Sequence, residues 1–181
     1  MNDSYRKLII LAQNGNARDF FEMYKRKYKK YQLSYDTPLL CAAMANHKPE
    51  ERFEIVNFLI KKGYDINCCN DELHSLLHIL FSRPVHNLEQ TVELTKKLLD
   101  LGIDVNRQDY RGRTAIHFMM EMGFDDAELQ PLYNVIFSIN RINLKLVDKW
   151  QHTPIDLAKT YGERRMKLLE RMIEYDKKRI R

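Results

Sequence analysis

Cys68, Cys69, His74 and His78 fall within one short stretch of the chain, and thiolates and imidazoles are the groups that hold zinc. Structural zinc sites place a spacer of two or more residues between paired cysteines. Adjacent cysteines lack that spacer, so no metal is expected. Cys41 brings the cysteine count to three; an odd number cannot pair completely, and neighbours in sequence have poor geometry for a mutual disulfide. All three are read as reduced thiols. Phe118, Met119, Met120 and Met122 form a soft apolar run that would suit a cofactor box or an adaptable contact surface, although apolar residues at helical spacing also make ordinary core. No Gly-rich phosphate loop, metalloprotease His-Glu pair or nucleophile elbow is present. The chain is therefore expected to be neither an enzyme nor a cofactor carrier.

A chain of 181 residues with 44% apolar and 30% charged side chains is long enough for one folded unit and too apolar for intrinsic disorder. The stretch Met1 to Gln13 has a short apolar run at Leu8 to Ala12 and no small-residue cleavage site after it, which argues against a secretory signal. No window approaches the roughly 18 apolar residues that span a bilayer. The expected location is the cytoplasm, with delivery by a non-cleaved signal as the alternative. The net charge of +5 is unevenly placed: residues 1–34 carry eight Lys or Arg against three acids, 146–181 ten against six, and 68–106 three against six. A nucleic-acid track needs one continuous basic stripe, and an acidic middle between basic ends disfavours it.

Self-similarity supplies the organisation. Thr37-Pro38-Leu39-Leu40, Ser75-Leu76-Leu77-His78, Thr114-Ala115-Ile116-His117 and Thr153-Pro154-Ile155-Asp156 start 38, 39 and 39 residues apart. Gly63-Tyr64-Asp65-Ile66-Asn67 and Gly102-Ile103-Asp104-Val105-Asn106 keep the same step. Each unit reads as helix, connection, helix, turn. The hydroxyl of Thr37 or Thr114 caps a helix start, and Pro38 or Pro154 takes the first-turn position where a missing N–H costs nothing. A second helix carries Ile55, Val56, Leu59 and Ile60, or Leu94, Leu98, Leu99 and Leu101, on one face. Gly63 and Gly102 end it in the left-handed conformation. Polar stretches such as Arg107 to Gly112 follow, with turn chemistry at their ends.

In this arrangement the chain resembles the ankyrin repeat, which runs turn, Gly-x-Thr-Pro-Leu-His-x-Ala, two antiparallel helices, then Gly-Ala-Asp-Val-Asn. Asp109 to His117 carries the closest match. The resemblance implies an all-α, ankyrin-type solenoid of antiparallel helix pairs joined by short β-hairpin-like fingers, in a single domain spanning 1–181. Its parts would be an N-terminal cap repeat at 1–33, inner repeats at 34–67, 68–106 and 107–145, and a C-terminal cap repeat at 146–181. The basic runs Lys25-Arg26-Lys27 with Lys29-Lys30, and Lys177-Lys178-Arg179, read as solvated cap faces. This sequence departs from the family in its period, near 39 rather than about 33 residues. The extra residues fall at His47 to Phe53, Arg83 to Glu89 and Phe124 to Pro131, so the inner helices or their connections are expected to be lengthened and the concave wall deepened. Turn glycine remains only at Gly112; Tyr35, Leu73 and Gln151 replace it elsewhere, and the fourth unit ends at Asn140-Arg141 without a closing glycine.

What the resemblance implies about function follows from shape. His78 and His117 occupy the family's histidine position and are expected to hydrogen-bond neighbouring turns. A stack of repeats leaves a concave surface of finger tips and first-helix faces. The partner-binding residues expected there are Glu72 and His74 on the second finger, Tyr110, Arg111 and Arg113 on the third, and Lys149, Trp150 and His152 on the fourth. Phe118 and Met122, one turn apart, face the groove and serve either packing or binding. Tyr, Trp and Arg are enriched at binding hot spots, and the arginines suit a partner that is acidic at the contact. The expected function is a monomeric, non-catalytic protein-binding module, an adaptor or inhibitor. The alternatives are a basic nucleic-acid-binding accessory protein and a translocated effector that binds a host protein.

Overall fold

A computed structural model describes residues 3–31 and 37–179; the turn position at Tyr35 lies outside the described residues. The helices are α1 (Asp3–Asn14), α2 (Ala17–Met23), α3 (Leu39–Met44), α4 (Pro49–Lys61), α5 (Leu76–Phe81), α6 (Leu88–Asp100), α7 (Ala115–Met120), α8 (Gln130–Ile136), α9 (Pro154–Thr160) and α10 (Met166–Arg179), with 3-10 turns at Arg26–Tyr31 and Gly162–Arg165. Among the described residues there is no β-strand, and β-pairing amounts to one isolated antiparallel bridge between Cys69 and Ser75. The chain is all-helical.

Helices α1, α3, α5, α7 and α9 each pack on the next in that order, and so do α2, α4, α6 and α8. This gives two layers. Every residue of α3, α5 and α7 is buried; each of these short helices packs against both neighbours in its own layer, and α3 also against α4. Outer helices bury a single face: Ile55, Val56 and Leu59 on α4, and Leu94, Leu98 and Leu99 on α6. Each such aliphatic side chain contributes about 1.5–3 kcal/mol on burial.

The start signals act unequally. Thr153 accepts from Asp156 N–H at 3.1 Å while its own backbone N–H reaches the Asp156 carboxylate, with Pro154 in the first turn. Ser75 and Thr114 share this reciprocal arrangement with His78 and His117. At Thr37 the expectation fails: α3 begins at Leu39 behind Pro38 without a side-chain cap. Gly63 and Gly102 do end their helices at φ +75° and +86°, and the following N–H groups of Tyr64 and Ile103 bond back to Leu59 and Leu98.

The long period has a definite cause. Helices α3, α5 and α7 are six residues each, so the extra residues do not deepen the inner-helix wall: residues 49–53 fall inside α4, and 83–87 and 124–129 fall in the connections to α6 and α8. The last turns of the inner helices and these connections carry carbonyls that helices leave unsatisfied, and side chains from neighbouring units meet them. Asn46 Nδ2 donates to Ala12 O at 2.8 Å, Arg83 to Ala45 O at 3.3 Å and Arg52 to Val85 O at 2.8 Å. Arg165, fully buried, donates to the carbonyls of Met120, Met122 and Phe124 at 2.6–2.9 Å.

Candidate functional site

Three fingers are built alike from an Asx residue. Asn70 Oδ1 accepts from the N–H groups of Glu72 and His74 at 3.1 and 2.9 Å. Asp109 Oδ1 does so from Arg111 and Arg113, both at 2.8 Å, and Asp148 Oδ1 from Trp150 and His152, both at 2.9 Å. A short polar side chain that bonds its own following backbone is a turn former. In each finger the residue three after the Asx has positive φ: Leu73 at 60°, Gly112 at 75° and Gln151 at 66°. Asn70, Asp109 and Asp148 are the repeated signal that sequence reading passed over, and their 39-residue spacing would have located the turns without the glycine. Gly112 meets a second demand. A Cβ there would lie 3.0 Å from Val147 O and 3.1 Å from Asp148 Cα, so glycine is kept where the next finger's backbone comes close.

The fingers are bonded to one another. Tyr110 N–H donates to Glu72 O at 3.3 Å, and Lys149 N–H to Arg111 O at 2.8 Å. At the finger bases, Asn67 Oδ1 accepts from Asp104 N–H and Asn106 Oδ1 from Asn143 N–H. The asparagines that close the two glycine-ended segments therefore hold the next unit.

Between the second and third fingers is a polar-aromatic cluster. The His78 ring Nδ1 accepts from Ser75 N–H, which places its proton on Nε2, and Nε2 donates to Arg113 O at 2.9 Å. Burial pushes His78 down to about 4 against the opposing pull of that carbonyl. His74 stacks on His78, and both meet the edge of Phe118. His74 lies 3.2 Å from Glu72 and 3.5 Å from Asp109; its ring is held below the usual imidazole range, by burial first and against those carboxylates. Arg113 covers the Phe118 ring at 4.1 Å and pairs with Asp109 at 3.1 Å. Burial would raise the Asp109 carboxyl, but the backbone N–H groups of Arg113 and Arg111 and the Arg113 guanidinium hold it below its ordinary value.

Placement sorts the expected site residues into three groups. Tyr110 and Trp150 are 54% and 53% exposed on adjacent tips, each with a cation over its ring: Arg111 at 5.1 Å and Lys149 at 4.3 Å. His152 stands beside them, its side chain mostly in solvent. Glu72 is exposed, whereas His74 and Arg113 are largely enclosed in the cluster. Phe118 and Met122 are 5% and 2% exposed; they serve packing, since Arg113, His74 and His78 cover the first and the second belongs to the buried core in the connection after α7. The expectation for His117 also needs correction. Its Nδ1 accepts from Thr114 N–H at 3.0 Å, as in His78, but its buried Nε2 has no hydrogen-bond partner among the described residues.

A cleft of ≈ 520 Å³ runs between the second finger and α3 and α5, with Asn70, Asp71, Glu72 and His74 on one side and Cys41, Ala42 and Arg83 on the other. Sequence reading did not single out its floor, because α3 and α5 look there like uniform core. The metal candidates do not converge: both His78 nitrogens are bonded and Cys68 faces Cys41. Among the described residues no group of three or more His, Cys, Asp or Glu is placed to hold a metal ion, and no helix is long and apolar enough to cross a membrane.

The ankyrin repeat family model matches residues 34–71, the unit that holds α3 and α4. The chain carries an ankyrin repeat. Over its whole length it is also similar to a solved structure, that of a functionally unknown protein from Leptotrichia buccalis C-1013-b. The two share 28% identity and a TM-score of 0.77, over 97% of this chain and 96% of that one. Ankyrin repeats mediate protein–protein contact, and the family is generally non-catalytic.

Proposed function

We propose that the chain is a non-catalytic protein-binding module, a monomeric solenoid of five ankyrin-type units divided at 33/34, 67/68, 106/107 and 145/146, which acts as an adaptor or inhibitor in the cytoplasm. Its partner is a protein, acidic at the contact, seated on the concave side with the third and fourth finger tips as the anchor. One observation carries this reading: two solvent-exposed aromatic rings on adjacent tips, each paired with a cation. Exposed Tyr and Trp beside Arg or Lys combine large apolar area with a charge that attracts carboxylates, which is the chemistry of binding hot spots. Glu72 and His152 border the same surface. Arg113 supports it from beneath, since its guanidinium is committed to Asp109 and Phe118.

The test is capture by photo-crosslinking in the native cell, followed by calorimetry with the identified partner. Tyr110→Ala with Arg111→Ala, and Lys149→Ala with Trp150→Ala, are each expected to weaken binding at least 30-fold, about 2 kcal/mol or more. Unchanged affinity in both double variants overturns the reading. A second reading, nucleic-acid binding, is favoured by the cleft of ≈ 320 Å³ lined by Tyr24, Arg26, Lys29, Lys61 and Lys62. Its signature is affinity for a duplex that falls steeply with salt.

A further inference from the structure

Cys41 and Cys68 lie on different elements, 27 residues apart, yet their Sγ atoms are 3.4 Å from one another. Cys41 is buried on α3, and Cys68 is half-buried at the base of the second finger. A disulfide has a sulfur separation of about 2.05 Å, so the two sulfurs already stand within about 1.5 Å of bonding distance. Cys69 is placed differently. Its backbone forms the bridge to Ser75, and the Arg107 guanidinium lies 3.9 Å from its Sγ. The three thiols therefore sort into one pair and one single, a division hidden in sequence because the two adjacent cysteines draw attention away from Cys41.

We propose that Cys41 and Cys68 are a reversible oxidation site, closed by a low-molecular-weight disulfide such as glutathione disulfide. Entry is through Cys68, the half-exposed member; Cys41 keeps its proton, through its hydrogen bond to Cys68 first and its burial second. The Cys68 thiolate attacks one sulfur of glutathione disulfide, forming a mixed disulfide and releasing one glutathione thiolate. A base, the released thiolate or solvent hydroxide, takes the Cys41 proton. Cys41 sulfur then attacks Cys68 Sγ and expels the second glutathione. Two protein thiols are oxidised to one disulfide, and one glutathione disulfide is reduced to two glutathiones. The bond ties the second finger to α3 at the wall of the ≈ 520 Å³ cleft, where Cys41 is a lining residue. It also closes a loop in the unfolded chain, which favours the folded state. The proposal does not rest on the protein-binding reading.

The full-length chain is equilibrated with excess glutathione disulfide, quenched in acid and alkylated under denaturing conditions, then measured by intact mass and peptide mapping. Expected are a mass lower by two hydrogens, one remaining alkylatable thiol at Cys69, a Cys41–Cys68 linked peptide and a raised thermal midpoint that dithiothreitol reverses. Cys69→Ser should form the same Cys41–Cys68 linked peptide and leave no alkylatable thiol, and Cys68→Ser should form no internal disulfide while its circular dichroism stays helical. Three alkylatable thiols at saturation, a product that stops at the glutathione adduct, or a linked peptide joining any other pair would overturn the proposal.

Discussion

The second-to-third and third-to-fourth finger junctions come from the same motif and are held by different means. In the first, side chains do the joining: His78 reaches across to Arg113 O, and His74, Arg113, Asp109 and Phe118 close around it. In the second, His117 makes no such reach. There the backbone bond from Lys149 to Arg111 is short, and Gln108 Nε2 bridges Gly112 O and Val147 O at 2.7 and 2.9 Å. The difference teaches how a unit can leave side chains at the surface. Where backbone and one glutamine hold the stack, Lys149, Trp150 and His152 are left at the surface; where side chains hold it, they are spent inside.

The largest expected effect separates the two turn carboxylates. Asp109→Ala strands two backbone N–H groups and a guanidinium, and should cost about 3–5 kcal/mol in denaturant unfolding. Asp148→Ala strands two N–H groups but no guanidinium, and should cost about 1–2 kcal/mol. Equal losses would erase the distinction between the junctions.

Acidification probes the first junction next. His78 binds its proton near pH 6.5 in the unfolded chain and near 4 when folded. Between those values the unfolded state holds more protons, so stability falls as pH is lowered through 6.5 and levels off near 4, a loss of about 3 kcal/mol from this group. His86, also pushed down to about 4 by burial, titrates in the same window. Denaturation at pH 7.5 and 4.5 should show His78→Gln with a shallower dependence than the unaltered chain, and His86→Gln likewise. A slope untouched by His78→Gln would contradict its enclosure.

Smaller effects follow from the turns. Gly112→Ala combines positive φ with contact against the fourth finger and should cost about 2 kcal/mol. At pH 7.5, His78→Gln should cost about 1 kcal/mol more than His117→Gln, the difference being the bond to Arg113 O. Leu73→Gly and Gln151→Gly relieve a left-handed side-chain residue and should raise stability by about 0.5 kcal/mol each in the same assay. Destabilisation by both would mean that these side chains pack in ways their turns do not require.

The sequence by itself determined that the chain is helical with starts and stops in step, because helix starts at Thr153-Pro154 and stops at Gly63 and Gly102 are local backbone chemistry that needs no tertiary context. It also singled out Tyr110, Arg111, Lys149 and Trp150, since aromatic and cationic residues in a turn have no helix face to occupy. Only the tertiary structure decided which of the equivalent histidines finds an acceptor, that Phe118 and Met122 are enclosed, and that the long period is taken up by the outer helix α4 and by connections whose carbonyls meet Arg52, Arg83 and Arg165. It alone brought Cys41 to Cys68. Each of these depends on what a neighbouring unit places opposite a side chain, and units in contact here lie some 30 to 45 residues apart, beyond the reach of any local pattern.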